Sequence, residues 1–182
     1  YDYFQAEQKS EEFVAVNPNA AFPALIDDDF ILWESNAILQ YAAEKVGNTN
    51  AYPTDIRTRA DINRWLLWES SSWFGSCYVY LVENCVKPLL GDTTDESILA
   101  NEQENFHKLA SILDARLKNS TFLCGEDPTI ADVAVAAPMH LHGWAKLPLG
   151  DHPNLIRWMT KEIENCSWWK ETHIGEGFTV DE

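Results

Sequence analysis

The chain has 182 residues, enough for one or two domains and for a sizeable core without disulfide staples. Hydrophobic residues make up 46% and charged residues 23%, a globular composition that excludes wholesale disorder. Acids outnumber bases, 29 to 13, and the formal charge of -16 argues against binding to nucleic acid or to an anionic membrane.

No apolar run approaches the roughly 20 residues that a membrane span needs. The opening Tyr1-Asp2-Tyr3 lacks the basic segment and apolar stretch of a secretory signal, and it lacks Met. Cys77, Cys85, Cys124 and Cys166 form no Cys-x-x-Cys pair, and no His stands at zinc-ligand spacing beside them. They read as reduced, mostly buried thiols of a cytoplasmic protein with no bound metal.

In chain order, residues 1–5 alternate weakly as a strand, and Ser10 starts a short helix over 10–16. Asn17-Pro18-Asn19 is a turn. The apolar runs 24–26 and 30–32 flank Asp27-Asp28-Asp29 and predict a hairpin with the acids on its turn. Ser35 is the expected N-cap of a helix through Val46, with Gly47 as its C′ residue. After a polar linker over 48–54 the pattern is helical throughout. One long or two abutting helices cover 55–90, with a bend at Gly75. A further helix covers 95–117. Another runs from Thr129 through Leu141 with a kink at Pro138. The last helical turns lie in 153–165 and 168–170. The layout is a small α/β unit (1–47), a linker (48–54) and an all-helical domain (55–182).

Three local features fit together. The first is the stretch from Asn17 to Leu25 with Phe22-Pro23 before a strand. A cis bond there turns the Phe22 N–H and C=O outward, ready to pair with an extended peptide; a trans bond makes Pro23 an ordinary strand opener. The second is Glu34-Ser35-Asn36-Ala37-Ile38 at a strand-to-helix junction. The Ser35 hydroxyl and the free N–H groups of the first turn suit a carboxylate, and Glu34 suits an ammonium group. The commoner role of such a pair is an N-cap beside a surface acid. The third is Thr129-Ile130-Ala131-Asp132, a capping box with Asp in the place of Glu, read as structural.

In this order the three features resemble the cytosolic glutathione transferase superfamily, over essentially the whole chain. The resemblance implies an α+β architecture. A thioredoxin-like N-terminal domain, incomplete at its start, precedes an all-α C-terminal domain that helps form a second-substrate pocket. It implies a homodimer that conjugates the thiolate of glutathione to a small apolar electrophile, with glutathione as co-substrate, no cofactor and no metal. Phe22 would pair its backbone with the cysteinyl part, beside a cis Pro23. Glu34 and Ser35 would hold the γ-glutamyl end, and Lys9 or Gln8 would meet the glycine carboxylate. Trp68, Ser71, Ser72, Phe74 and, opposite them, Trp144 would line the second pocket, while Trp65, Tyr78 and Leu81 would serve packing. Ala20 stands where the family often has Gly, which alters the turn but removes no ligand.

The resemblance also implies a first strand and helix, with the residue that activates the thiol following that strand. That residue is absent from this sequence, so no catalytic residue is named, and the native protein is expected to be longer. A similar Glu-Ser-Asn-Ala-Ile stretch in the transferase-like domain of the elongation factor 1 gamma subunit supplies the competing reading, a non-catalytic scaffold.

Overall fold

A computed structural model describes residue 1 and residues 5–172 of the chain. The expected strand over 1–5 falls largely on residues 2–4, outside the described residues. Ser10 accepts the Phe13 N–H at 3.2 Å and starts helix α1, Glu11–Val16, after a 3₁₀ turn at Glu7–Lys9. Strands β1, Ala24–Asp27, and β2, Phe30–Trp33, pair antiparallel with Ala24 opposite Trp33 and Asp27 opposite Phe30. That register leaves Asp28 and Asp29 as the turn, with Asp28 at φ 54°, a conformation Asp tolerates. The Asp27 carboxylate accepts from the Tyr41 hydroxyl at 2.5 Å and from the Lys45 ammonium, so the acidic turn is tied to helix α2, Ser35–Lys45.

Helix α2 ends as its sequence dictates. Gly47 sits at φ 67°, its N–H meets the Glu44 carbonyl, and the Asn48 N–H meets the Ala43 carbonyl at 2.9 Å. These are the two bonds of a Schellman cap. Its start differs from expectation. Glu34, not Ser35, is the N-cap, because β2 runs through Trp33 and the Glu34 carbonyl already accepts the Ile38 N–H.

Asp55 accepts the Thr58 N–H at 2.9 Å and opens a continuous helical run. It comprises α3, Ile56–Trp68, a π-helical turn at Glu69–Trp73, α4, Phe74–Leu81, a second π turn at Val82–Val86, and α5, Lys87–Leu89. The departures from α geometry therefore fall at the two π turns rather than at Gly75, which lies inside α4. Asp95 caps α6, Glu96–Leu117, whose Phe106, Leu109, Ala110, Leu113 and Leu117 form one buried stripe. Helix α7 covers Ile130–Ala136 and gives way to a 3₁₀ turn at Ala137–Met139. Pro138 has no N–H to continue the ladder, so it closes the helix instead of kinking one that runs to Leu141. Helix α8, Pro153–Arg157, passes into a π turn at Trp158–Ile163, and α9 is Ser167–Thr172.

The hairpin packs on α2, α2 and α3 pack on α7, α4 packs on α6, and α6 packs on α8. Among the described residues no helix is long and apolar enough to cross a membrane. The core lies among the helices, where Ile62, Leu66, Trp73, Phe106, Leu113 and Trp158 are fully buried. The Trp73 indole N–H donates to the Val135 carbonyl at 3.0 Å.

Asp132 is buried at the centre of this packing. One carboxylate oxygen accepts the Leu123 N–H at 2.9 Å and the Trp158 indole N–H at 3.1 Å. The other accepts the Thr129 N–H at 2.9 Å and its hydroxyl at 3.2 Å, while Thr129 Oγ1 accepts the Ala131 N–H. The capping box read from the sequence is thus present, and it is also a tertiary joint. Burial pushes the Asp132 carboxyl up, against the pull of the Leu123 and Thr129 hydrogen bonds. Asp132→Ala and Asp132→Asn are each expected to cost about 2–4 kcal/mol in urea unfolding, because at least two buried donors lose an acceptor. A loss below about 1 kcal/mol in both variants would contradict the joint.

Candidate functional site

A cleft of about 700 Å³ opens between the loop before β1, the β2–α2 junction and the helices α4 and α7. Its floor is set by Asn17, which is buried after α1. The Asn17 amide donates to the Ala21 carbonyl at 2.6 Å, and its oxygen accepts the Asn19 N–H at 3.1 Å and the Asn19 amide at 3.0 Å. Ala20 takes φ 52°, the left-handed conformation in which glycine is most at ease. The chain then presents Ala21, Phe22 and Pro23 along the cleft, and the Phe22–Pro23 bond is cis.

The opposite lip is the β2–α2 junction. Strand β2 ends at Trp33 and helix α2 starts at Ser35, so Glu34 is the whole connection. It takes φ 76° and ψ 113°, which is uncommon for a residue with a Cβ and costs on the order of 1–3 kcal/mol. The result is an exposed Ser35 in the first turn of α2, next to Glu34, both lining the cleft. First-turn N–H groups have no partner inside the helix, and the helix end carries partial positive charge. The junction therefore offers hydrogen-bond donors and a carboxylate within one dipeptide.

Behind it the Asn36 amide donates to Glu69 Oε2 at 2.8 Å and to the Leu66 carbonyl at 2.8 Å. Glu69 is buried, and burial raises its carboxyl above the usual range while the Asn36 bond opposes this. It opens the π turn that aims Ser70, Phe74 and Tyr78 at the cleft. Phe74 and Tyr78 stack with centroids 5.5 Å apart. Leu81, Val133, Ala134 and Pro138 complete an apolar wall, with His140 at its edge.

Of the residues named from the sequence, Phe22, Pro23, Glu34, Ser35 and Phe74 meet in this cleft. Lys9 is exposed at the end of the 3₁₀ turn and is not part of the lining. Gln8 is buried, and its Oε1 finds no hydrogen-bond partner among the described residues. Trp68 packs in a stack with Trp73, centroids 5.9 Å apart, and edge-on to Trp65. The Ser71 hydroxyl turns back to the Trp68 carbonyl at 3.4 Å and lies 3.3 Å from that of Ser72. Trp144 packs on the core. None of these four lines the cleft. Tyr78 and Leu81, expected to serve packing, do line it, whereas Trp65 is buried as expected.

The parts played by Asn17 and Glu69 are not legible in the sequence. The only signal for Asn17 was its place in a turn motif, and Glu69 looked like one more acid on a helix. All four cysteines are free, and burial is the first cause that raises each thiol, to about 11 for Cys85 and about 12 for Cys124. They are protonated at neutral pH and are poor nucleophiles.

Comparisons with known proteins identify the family. Residues 1–44 match the model for the glutathione S-transferase N-terminal domain, and residues 78–165 match that for its C-terminal domain. A glutathione S-transferase of Hyoscyamus muticus is 30% identical over 168 residues, which cover 90% of this chain and 79% of that protein. Glutathione S-transferase D7 of Drosophila melanogaster is 29% identical over 174 residues, 92% of this chain and 72% of that protein. The crystal structure of glutathione transferase F7 from Populus trichocarpa superposes with a TM-score of 0.87 at 27% identity, covering 98% of this chain and 85% of that one. The chain belongs to the glutathione S-transferase family and has its fold, a thioredoxin-like unit followed by an all-helical domain.

The backbone at Glu34 yields a prediction. Gly has no Cβ to strain at φ 76°, whereas Ala keeps one. Glu34→Gly should be more stable than Glu34→Ala by about 1 kcal/mol in thermal unfolding. An Ala variant as stable as the Gly variant would mean that the junction is unstrained.

Proposed function

We propose that the protein is a glutathione transferase whose cleft holds glutathione on the N-terminal side and an apolar electrophile on the helical side. The observation that carries this reading is the convergence, in one cleft, of the Phe22-Pro23 turn and the Glu34-Ser35 junction with an aromatic wall. The Phe22 backbone pairs with the cysteinyl part of glutathione as an added strand would. Ser35 and the first-turn N–H groups of α2 hold the γ-glutamyl carboxylate, and Glu34 faces its ammonium group. Phe74, Tyr78 and Leu81 receive the electrophile.

In the reaction the thiolate sulfur of glutathione attacks an electron-poor carbon, a sulfur–carbon bond forms, and the leaving group departs with its electron pair. The residues described here bind and orient the two substrates, which lowers the entropic part of the barrier. The protonated cysteines give no support to a variant in which a thiol of this chain exchanges disulfides. The same reading makes 1–47 the glutathione-binding unit and 55–182 the helical unit of a cytoplasmic, homodimeric detoxification enzyme.

The test is made on the full-length native protein. Ser35→Ala should weaken glutathione binding about tenfold or more by calorimetry, the expected effect of a lost hydrogen bond to a charged group. Phe74→Ala should raise KM for an apolar aryl electrophile and leave glutathione affinity unchanged. Unaltered glutathione affinity in Ser35→Ala would overturn the assignment of the γ-glutamyl site. A wild-type protein that binds no glutathione would favour the non-catalytic scaffold.

A further inference from the structure

Away from the cleft, two histidines meet between α6 and α8. His107 Nδ1 and His152 Nε2 are 2.9 Å apart, with ring centroids at 5.2 Å. His152 is buried, 4% exposed, and stands at the N-cap position of α8. At that separation one ring donates its N–H and the other must offer a bare lone pair. With one added proton the neutral ring can still accept, by changing tautomer; with a proton on every nitrogen of both rings the bond is lost and two cationic N–H groups stand face to face.

The contacts next to the pair hold α8 on α6. The Asp114 carboxylate of α6 accepts the Asn154 N–H at 2.7 Å, the Asn154 amide at 2.9 Å and the Leu155 N–H at 3.1 Å. Arg157 donates to the Leu117 carbonyl at 2.8 Å and to the Ser120 carbonyl at 3.1 Å. Around the pair, Asp114 on α6 and Asp151 in the segment before α8 favour a charged His152, whereas burial and the His107 ring disfavour it. The edge of the Phe106 ring meets His107.

We propose that the His107–His152 pair is an acid-sensitive latch that keeps α8 docked on α6 and releases it when both rings are protonated. The titration supports the direction. Burial, followed by the His107 ring, lowers the His152 pKa below 6.5. A group with a lowered folded pKa binds fewer protons folded than released. The latch is therefore fully closed above pH 6.5 and weakens as pH falls through that value towards the lower one. Asp114 does not titrate in that window. Burial would raise its carboxyl, but the hydrogen bonds from Asn154 and Leu155 outweigh it and keep the carboxyl below 3.8.

Amide hydrogen exchange tests the latch in the full-length protein. The opening constants of the Asn154 and Leu155 N–H groups are read between pH 7.5 and 5.5, after correction for intrinsic exchange. In the wild type they should rise as pH falls below 6.5, by up to about tenfold per pH unit for each proton taken up on opening. In His152→Asn the rise should vanish. Constants that stay flat in the wild type would overturn the proposal. So would an equal rise in His152→Asn. The wild-type profile alone decides if that variant fails to fold.

Discussion

The site depends on a connection one residue long. Strand β2 hands over to helix α2 through Glu34 alone, which bends the backbone to φ 76°. A longer connection would relieve the bend, but it would separate the Glu34 carboxylate from the N–H groups and hydroxyl of Ser35. Keeping donor and acceptor in adjacent residues suits a ligand end that carries both charges, as an α-amino acid does. The strain is local, and the Schellman cap at Gly47 and the Asp27 contacts to Tyr41 and Lys45 fix the rest of α2. Strain held in place by its surroundings is a common companion of binding sites.

The other half of the cleft depends on Asp132. Its two oxygens draw together the turn backbone at Leu123, the start of α7 and the indole of Trp158. Helix α7 then presents Val133 and Ala134 to the cleft. The helical domain thus places its wall by polar bonds inside an otherwise apolar core, where a carboxylate without its donors is costly. Between the two halves, Asn36 reaches from α2 to Leu66 and Glu69, which links the junction to the first π turn.

The parts of this arrangement legible in the sequence are those built from neighbours in the chain. Phe22-Pro23, Glu34-Ser35 and the Thr129–Asp132 box are local motifs; the first two meet in the cleft and the third caps α7. The hairpin, the cap at Gly47 and the buried stripe of α6 follow from turn chemistry and period. The second pocket was less legible for a definite reason. A helical reading carried through from Trp65 advances about 100° per residue, but the π turn at Glu69–Trp73 inserts a wider turn and resets the register. Ser71 and Ser72 consequently miss the cleft, while Ser70 and Tyr78 join Phe74 on it. Trp68 and Trp144 show the other difficulty. A large aromatic side chain satisfies a core and a pocket equally well, and only the packing of Trp68 on Trp73 decides between them. The pairing of His107 with His152, 45 residues apart, leaves no trace in local sequence.

The central claim is that glutathione lies along the Phe22 backbone with its γ-glutamyl end on the first turn of α2. The most direct measurement is a residue-resolved footprint of glutathione on the full-length protein, by amide hydrogen exchange or by NMR shift perturbation. The account predicts that glutathione slows exchange or shifts resonances at the amides of Phe22, Ser35 and Asn36 and leaves the α6–α8 face unchanged. A footprint that avoids those three amides, under conditions where glutathione is bound, would contradict it.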